Sequence, residues 1–353
     1  MTREGVASAM PSFFALSPYF LFYSIPFRTF VGDFRKRHTS NYSHKQKNKS
    51  IMKLTKLFAC VLAAAGMISC ANAPKKSTTV DLPIAVQLYS VRGDMEADFV
   101  GTLAKVKGMG YDGVEFAGLF GNCPKQVKHW CDSLGLNPIS AHVPLADMLA
   151  DVDQVIADYK AVGCEYIVVP YVTAERRPGG ELFLQMVEEI KSIGAKAQKA
   201  GLTLLYHNHD FEFNKLSNGQ CGLDYLYENV PANLLQTELD MCWVKYAGVY
   251  EPVEYLKKFD GRSPVVHLKD YYKEGEMEGD PYALIGLDEG EKKPASAFEF
   301  RPLGTGVQDI PAIVAAAQEC GSKWLIVEQD NPSLQKSPME CIQMSIEYLK
   351  GLK

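Results

Sequence analysis

The chain has 353 residues, with 37 Lys and Arg against 42 Asp and Glu, for a net charge of −5. The first 69 residues hold ten of the basic and two of the acidic residues, so the remainder carries 27 against 40, a net charge of −13. Such acidity argues against a nucleic-acid partner, whose phosphates call for clustered Lys and Arg, and favours small neutral or metal-assisted substrates.

The first recognisable signal starts at Met52. Lys53 and Lys56 precede an apolar run over 57–67, and Met67-Ile68-Ser69-Cys70 follows. A basic start, a short apolar stretch and small residues ahead of a cysteine describe a secretory signal peptide over 52–69. The cysteine makes it resemble a bacterial lipoprotein signal, with Cys70 as the lipid-anchored first residue. The run is shorter than the about 20 residues that span a bilayer. No acidic run follows Cys70, so the expectation is an exported, membrane-anchored lipoprotein facing the periplasm. Residues 1–51, aromatic-rich and broken by Pro18 and Pro26, read as a mis-called extension, and 70–81 as a linker. Beyond Cys70 lie Cys123, Cys131, Cys164, Cys221, Cys242, Cys320 and Cys341, with no C-x-x-C pair among them. Neither a zinc ribbon nor a thioredoxin motif is present, and buried free thiols are expected.

From Leu82 strand-like and helix-like segments alternate. Apolar runs occupy 84–88, 113–116, 138–142, 166–170, 203–207, 234–240, 265–268 and 324–328. Between them lie helix-periodic stretches at 99–109, 123–134, 145–162, 182–200, 252–259 and 310–320. Gly110, Gly135, Gly163, Gly201, Gly261 and Gly321 stand just past such stretches, as helix C-termini favour. Eight strand–helix units over 82–353 have the size and rhythm of an α/β protein of the (β/α)8 TIM barrel type. A doubly wound sheet uses the same units, but no Gly-x-Gly-x-x-Gly follows the first strand. One connection breaks the rhythm. Some forty residues from Asp270 to Gln308, rich in charge, Gly and Pro, follow the seventh strand. Long loops in compact domains are functional or disordered, so either a substrate-recognition insert or a solvated excursion is expected there.

Chemistry collects at the strand ends. Beyond residue 69 there are five histidines. His142, His207, His209 and His267 end apolar runs, while His129 sits beside Trp130 in a helical stretch. Asp240 and Glu328 end two further runs. This mixed nitrogen and oxygen set suits one divalent ion of the Mn, Co, Fe or Zn kind better than Mg or Ca. Glu238, two before Asp240, shares its face of the strand. Glu212 is a candidate to orient an imidazole, as ligating histidines require.

With these residues in place, the chain from about Ile84 to Lys350 resembles the xylose isomerase-like barrel superfamily, within it the sugar phosphate isomerase/epimerase group. The carriers are 85–90 (AVQLYS), 113–115 (GVE), 206–209 (YHNH), 239–243 (LDMCW), 266–270 (VHLKD), 303–306 (LGTG) and 327–328 (VE). The resemblance implies a single divalent metal on a strand-five glutamate, Asp240, His267 and Glu328. His207 stands where that glutamate belongs, which puts a symmetrical two-carboxylate epimerisation in doubt. His207 can still ligate, and His209 can act as base, since imidazole titrates near neutral pH. The group also contains inosose dehydratases, some with a histidine-rich fifth strand.

The expected activity is that of an isomerase or epimerase of a sugar or keto-sugar. A proton beside a carbonyl would be abstracted through a metal-bound enediolate, with Glu328 or His209 as base. Lys269 would stabilise the enediolate oxygen, or else pair with Asp270 at the surface. Gln87, Glu115, His142 and Trp243 are candidate substrate-binding residues. The alternatives are a lyase or dehydratase acting on an inosose or 3-keto-glycoside, and a non-catalytic envelope sugar-binding protein. The endonuclease branch of the superfamily implies three metals and a basic groove, which this composition does not offer. Oligomeric state is open.

Overall fold

The computed structural model describes residues 78–275, 279–286 and 297–352. The extension over 1–51, the signal peptide over 52–69, the lipid anchor at Cys70 and most of the 70–81 linker lie outside the described residues. Eight parallel strands form a closed barrel: β1 (Ile84–Gln87), β2 (Gly113–Phe116), β3 (Asn137–His142), β4 (Tyr166–Val169), β5 (Thr203–His207), β6 (Gln236–Asp240), β7 (Val265–Leu268) and β10 (Trp324–Val327). The barrel closes where β1 pairs with β10, Ala85 lying opposite Ile326. Each strand falls within two residues of its apolar run.

Period-two alternation sorts the side chains. Ala85, Ile139, Tyr166, Val168, Leu205, Val265 and Ile326 fill the barrel interior. Their neighbours Val86, Val114, Ile167, Leu204, Leu239, Val266 and Leu325 face outward, into the shell of helices. Each such buried aliphatic side chain contributes roughly 1.5–3 kcal/mol relative to exposure. One more step of the same alternation carries Gln87, Glu115, His207, Asp240, His267 and Glu328 to the C-terminal end of the interior, and a register shift where β3 pairs with β2 brings His142 to the same end. The fold therefore fixes which residues meet before any chemistry is considered.

Helices Phe99–Met109, Pro124–Leu134, Leu145–Val162, Phe183–Ala200, Pro252–Lys258 and Ile310–Glu319 match the periodic stretches. Helix Met241–Ala247 has no visible period because Met241, Cys242, Trp243 and Val244 are all buried. The seven cysteines beyond Cys70 are free thiols, six of them buried and Cys123 exposed.

The described residues of the connection after β7 are folded rather than a solvated excursion. Strand β8 (Asp270–Lys273) follows β7 after a single residue and pairs antiparallel with β9 (Phe298–Arg301). Their inward residues Tyr271, Phe298 and Phe300 are buried. A 3-10 turn at Pro281–Leu284 buries Tyr282, and Ile285 is buried beside it.

Asp270 anchors the return of this insert. Its carboxylate accepts from the backbone N–H groups of Tyr271 (2.9 Å), Gly304 (3.1 Å), Gly306 (3.0 Å) and Gln308 (3.1 Å). A Cβ on Gly306 would lie 2.2 Å from Asp270 Oδ1, so glycine is what lets the backbone close on the carboxylate.

Candidate functional site

A cavity of about 370 Å³ opens at the C-terminal end of the barrel. Of the residues singled out from sequence, His142, His207, His209, Lys269 and Glu328 line it. Gln87, Glu115, Asp240 and His267 are fully buried and reach these residues from the barrel interior. Trp243 is also fully buried and packs parallel to Tyr282, with ring centroids 5.2 Å apart.

Lys269 is the hinge of the outer layer. Only 1 % of it is exposed. Its ammonium lies 2.7 Å from Glu328 Oε2, 2.9 Å from Asp330 Oδ2 and 3.0 Å from Asp240 Oδ2. The expected alternative, a surface pair with Asp270, does not form, since the Asp270 carboxylate is committed to backbone N–H groups. Burial opposes charge on Lys269, yet Asp240, Asp330 and Glu328 hold its pKa well above the usual lysine range. Glu328 likewise stays ionised: burial works against it, and Lys269 and His267 hold its pKa well below the carboxylate range.

Beneath that layer sits a histidine-rich one. Glu238 Oε1 lies 2.7 Å from His142 Nε2, 3.1 Å from His267 Nε2 and 3.2 Å from His207 Nδ1. Glu115 Oε1 lies 2.8 Å from His267 Nε2 and 3.1 Å from His142 Nε2, and accepts from Gln87 Nε2 at 2.9 Å. Burial would depress the His142 imidazole, but the carboxylates of Glu115 and Glu238 push it up to about 10. Burial pushes His207 and His209 well below the usual imidazole range.

His209 lies apart from both layers, in an aromatic box. It stacks parallel to Phe211 at 5.4 Å and meets Tyr171 edge-on at 5.1 Å. Glu212 does not orient an imidazole. It accepts from the His209 backbone N–H at 2.8 Å and from the Tyr206 hydroxyl at 2.8 Å. Burial pushes its pKa up to about 8. A carboxyl whose folded pKa exceeds its unfolded value costs stability as pH rises from the unfolded pKa to the folded one. In Glu212→Gln the amide oxygen can accept from the His209 N–H while the NH₂ donates to the Tyr206 hydroxyl, so both contacts survive without that titration. The variant should gain in melting temperature over wild type as pH rises from 5 to 8; parallel melting curves across that range would refute the assignment.

Several wall residues escaped sequence reasoning. Asp330 lies two after Glu328, and period two could have found it. Tyr171 and Ile285 also line the cavity but come from connections without a motif, and Tyr89, inside the 85–90 motif, lines it as well without having been singled out. The Tyr89 hydroxyl donates to Ile285 O at 2.7 Å, which ties the insert to the barrel mouth.

The donor set fits a divalent ion. Five buried carboxylates, Glu115, Glu238, Asp240, Glu328 and Asp330, stand against three cationic partners: the Lys269 ammonium and the His142 and His267 imidazoles, whose pKa values the neighbouring carboxylates raise. Buried negative charge in such excess is costly without a further cation. Two overlapping groups bring their ligand atoms within 4.8 Å of one another: His142, His207, Glu238 and His267, and His207, Asp240, His267 and Glu328.

The profile of the xylose isomerase-like TIM barrel family matches residues 103–352. The inosose dehydratase of Geobacillus kaustophilus (strain HTA426) is 23 % identical over 276 residues, covering 71 % of this chain and 86 % of that protein. A sugar phosphate isomerase/epimerase from Parabacteroides distasonis superposes with a TM-score of 0.61 at 20 % identity, over 77 % of this chain and 100 % of that one. The 3-keto-D-glucoside 4-epimerase from E. coli superposes with a TM-score of 0.55 at 16 % identity, over 76 % of this chain and 99 % of that one.

Proposed function

We infer an activity from this premise: the chain belongs to the xylose isomerase-like TIM barrel family. The reading is a divalent-metal-dependent isomerase or epimerase that takes a proton from the carbon beside a carbonyl in a sugar or keto-sugar. The observation that carries it is the ionised Glu328 at the cavity wall, 2.7 Å from the buried Lys269 ammonium.

One ion of the Mn, Co, Fe or Zn kind, held by residues of the two overlapping groups, would polarise the carbonyl as a Lewis acid. Glu328 accepts the proton. Lys269 faces the oxygen on which charge develops and stabilises it electrostatically. The protonated Glu328 can hand its proton back at the same or the adjacent carbon, and His209, an imidazole kept neutral by burial, is the alternative base. Tyr89, Tyr171 and Ile285 form the walls against which that exchange would take place.

Charge around the cavity favours an uncharged substrate. Asp147, Glu328 and Asp330 line it, and Lys269 is already paired to carboxylates. A phosphorylated sugar would meet repulsion here. Export as a lipoprotein anchored at Cys70 and facing the periplasm, read from sequence, agrees with a free sugar or glycoside.

A second reading is elimination, in which a β-hydroxyl or β-alkoxyl group leaves after the same proton abstraction. Similarity to an inosose dehydratase favours it. Proton NMR in D₂O with ketoses, inososes and 3-keto-glycosides separates the readings. Deuterium beside the carbonyl is expected, with an epimer or isomer as product, and its loss in Glu328→Gln. An unsaturated product would move the assignment to a lyase. No exchange by protein that demonstrably carries metal would leave a sugar-binding protein.

A further inference from the structure

The barrel order β1–β2–β3–β4–β5–β6–β7–β10 divides the cylinder into two arcs of four strands. The chemistry sits on one of them. His207, Asp240, His267 and Glu328 lie at the ends of β5, β6, β7 and β10, and Lys269 follows β7. A substrate whose reacting carbon lies against Glu328 is therefore bound over that arc.

The cavity nonetheless extends over the other arc. Its wall there is made by Ala117 and Gly118 after β2, Val143 and Pro144 after β3, Tyr159 on the helix that follows, and Pro170 after β4. His142, the imidazole on this side, is committed to Glu238 at 2.7 Å and Glu115 at 3.1 Å. The hydroxyls of Tyr89 and Tyr171 are engaged as well, by Ile285 O and by Arg177. Gly118 has φ +87, and a Cβ built on it would meet nothing within 4 Å, so the space in front of it is open. Asp147 stands exposed at the rim. None of the apolar wall groups takes part in proton abstraction. Left facing water, they forgo the burial that a bound ligand supplies.

We propose that the substrate is a glycoside, with its keto-sugar ring at Glu328 and an uncharged, apolar, ring-sized aglycone over Gly118, Pro144, Tyr159 and Pro170. This rests on the reading above for the position of the reacting sugar and adds what that sugar carries. A free monosaccharide would leave the β2–β4 wall uncovered. A second sugar fits it poorly. Each hydroxyl buried there without a partner costs affinity, and beyond the committed groups the wall's side chains offer the Tyr159 hydroxyl and the Asp147 carboxylate. Asp147 also repels an anionic aglycone.

Full-length protein loaded with Co²⁺ and given the methyl, phenyl and glucosyl 3-keto-β-D-glucosides tests the inference, by turnover in D₂O and by calorimetric titration. The phenyl glycoside should exceed the methyl one by at least about 10-fold in kcat/KM and in affinity, as an apolar pocket discriminates for several added carbons. The glucosyl compound should fall below the phenyl. Ala117→Leu adds bulk to the wall and should lower the phenyl-to-methyl ratio by at least about 5-fold. A ratio is insensitive to how much of the variant is folded, and the wild-type comparison stands without it. An unchanged ratio in the variant moves the phenyl group off this wall and overturns the inference. Turnover of all three glycosides at similar kcat/KM also overturns it, while the proton-abstraction reading survives. Phenyl preference in titration without turnover of any glycoside does the reverse. A glucosyl preference, or no preference in binding, overturns the apolar aglycone.

Discussion

Lys269→Met should be among the most damaging single substitutions in this barrel, costing turnover and stability together. The ammonium serves three buried carboxylates at 2.7–3.0 Å. Deleting one partner of a buried ion pair costs about 3–5 kcal/mol, because the survivor is left charged and dry. Here the survivors can escape by taking up protons. Asp330, which burial pushes up to about 6 even with Lys269 present, should rise further in the variant. The destabilisation should therefore be greater at pH 8 than at pH 5.5, and urea unfolding at both values measures it. Turnover should fall by about 10²–10³-fold, as when a donor to developing oxyanion charge is removed. Lys269→Arg retains charge in a different shape; it should recover stability more fully than turnover. A methionine variant that turns over at the wild-type rate would remove Lys269 from the mechanism.

Asp270→Ala should act on the adjacent residue for a different reason. Four backbone N–H groups lose their acceptor at once. A buried donor left unsatisfied costs about 1–3 kcal/mol, so the total should reach at least about 3 kcal/mol even if water reaches some of them. In a domain of this size each kcal/mol lowers the melting temperature by about 2–4 °C. Asparagine should not rescue it, since its NH₂ would be turned toward N–H donors. Hydrogen exchange offers the sharper readout: amides of Gly304, Gly306 and Gln308 should lose protection before the barrel strands do. Unchanged protection at those amides would show that the loop is held by other contacts.

The barrel was legible because its signals repeat. Eight apolar runs, all but the last at a similar spacing, tolerate an error in any one of them. The inner-face residues were legible for the same reason: an apolar strand ending in His, Asp or Glu is seldom required by packing. What escaped depended on contacts between distant segments. Nothing local to Tyr282 says that it lies against Trp243, and nothing local to Lys269 distinguishes a surface pair with its neighbour from a buried one with Asp240, Glu328 and Asp330. Glu212 was read as a partner for an imidazole, whereas it holds the backbone N–H of His209 and the Tyr206 hydroxyl. Sequence spacing cannot tell those apart, because both lie within reach of the same carboxylate.

Strand register has a consequence for how such barrels are compared. His207 and Glu238 are paired neighbours on β5 and β6, so they occupy the same storey of the cylinder. A comparison made position by position runs lengthwise along each strand and finds histidine where the family resemblance implies glutamate. A group held at the axis would meet the circumference instead, and on that ring Glu238 is one seat to the side. Groups can thus change strands in the course of divergence while the ring keeps its inventory. A position that looks vacated in an alignment is best checked against its lateral neighbours before a function is written off as lost.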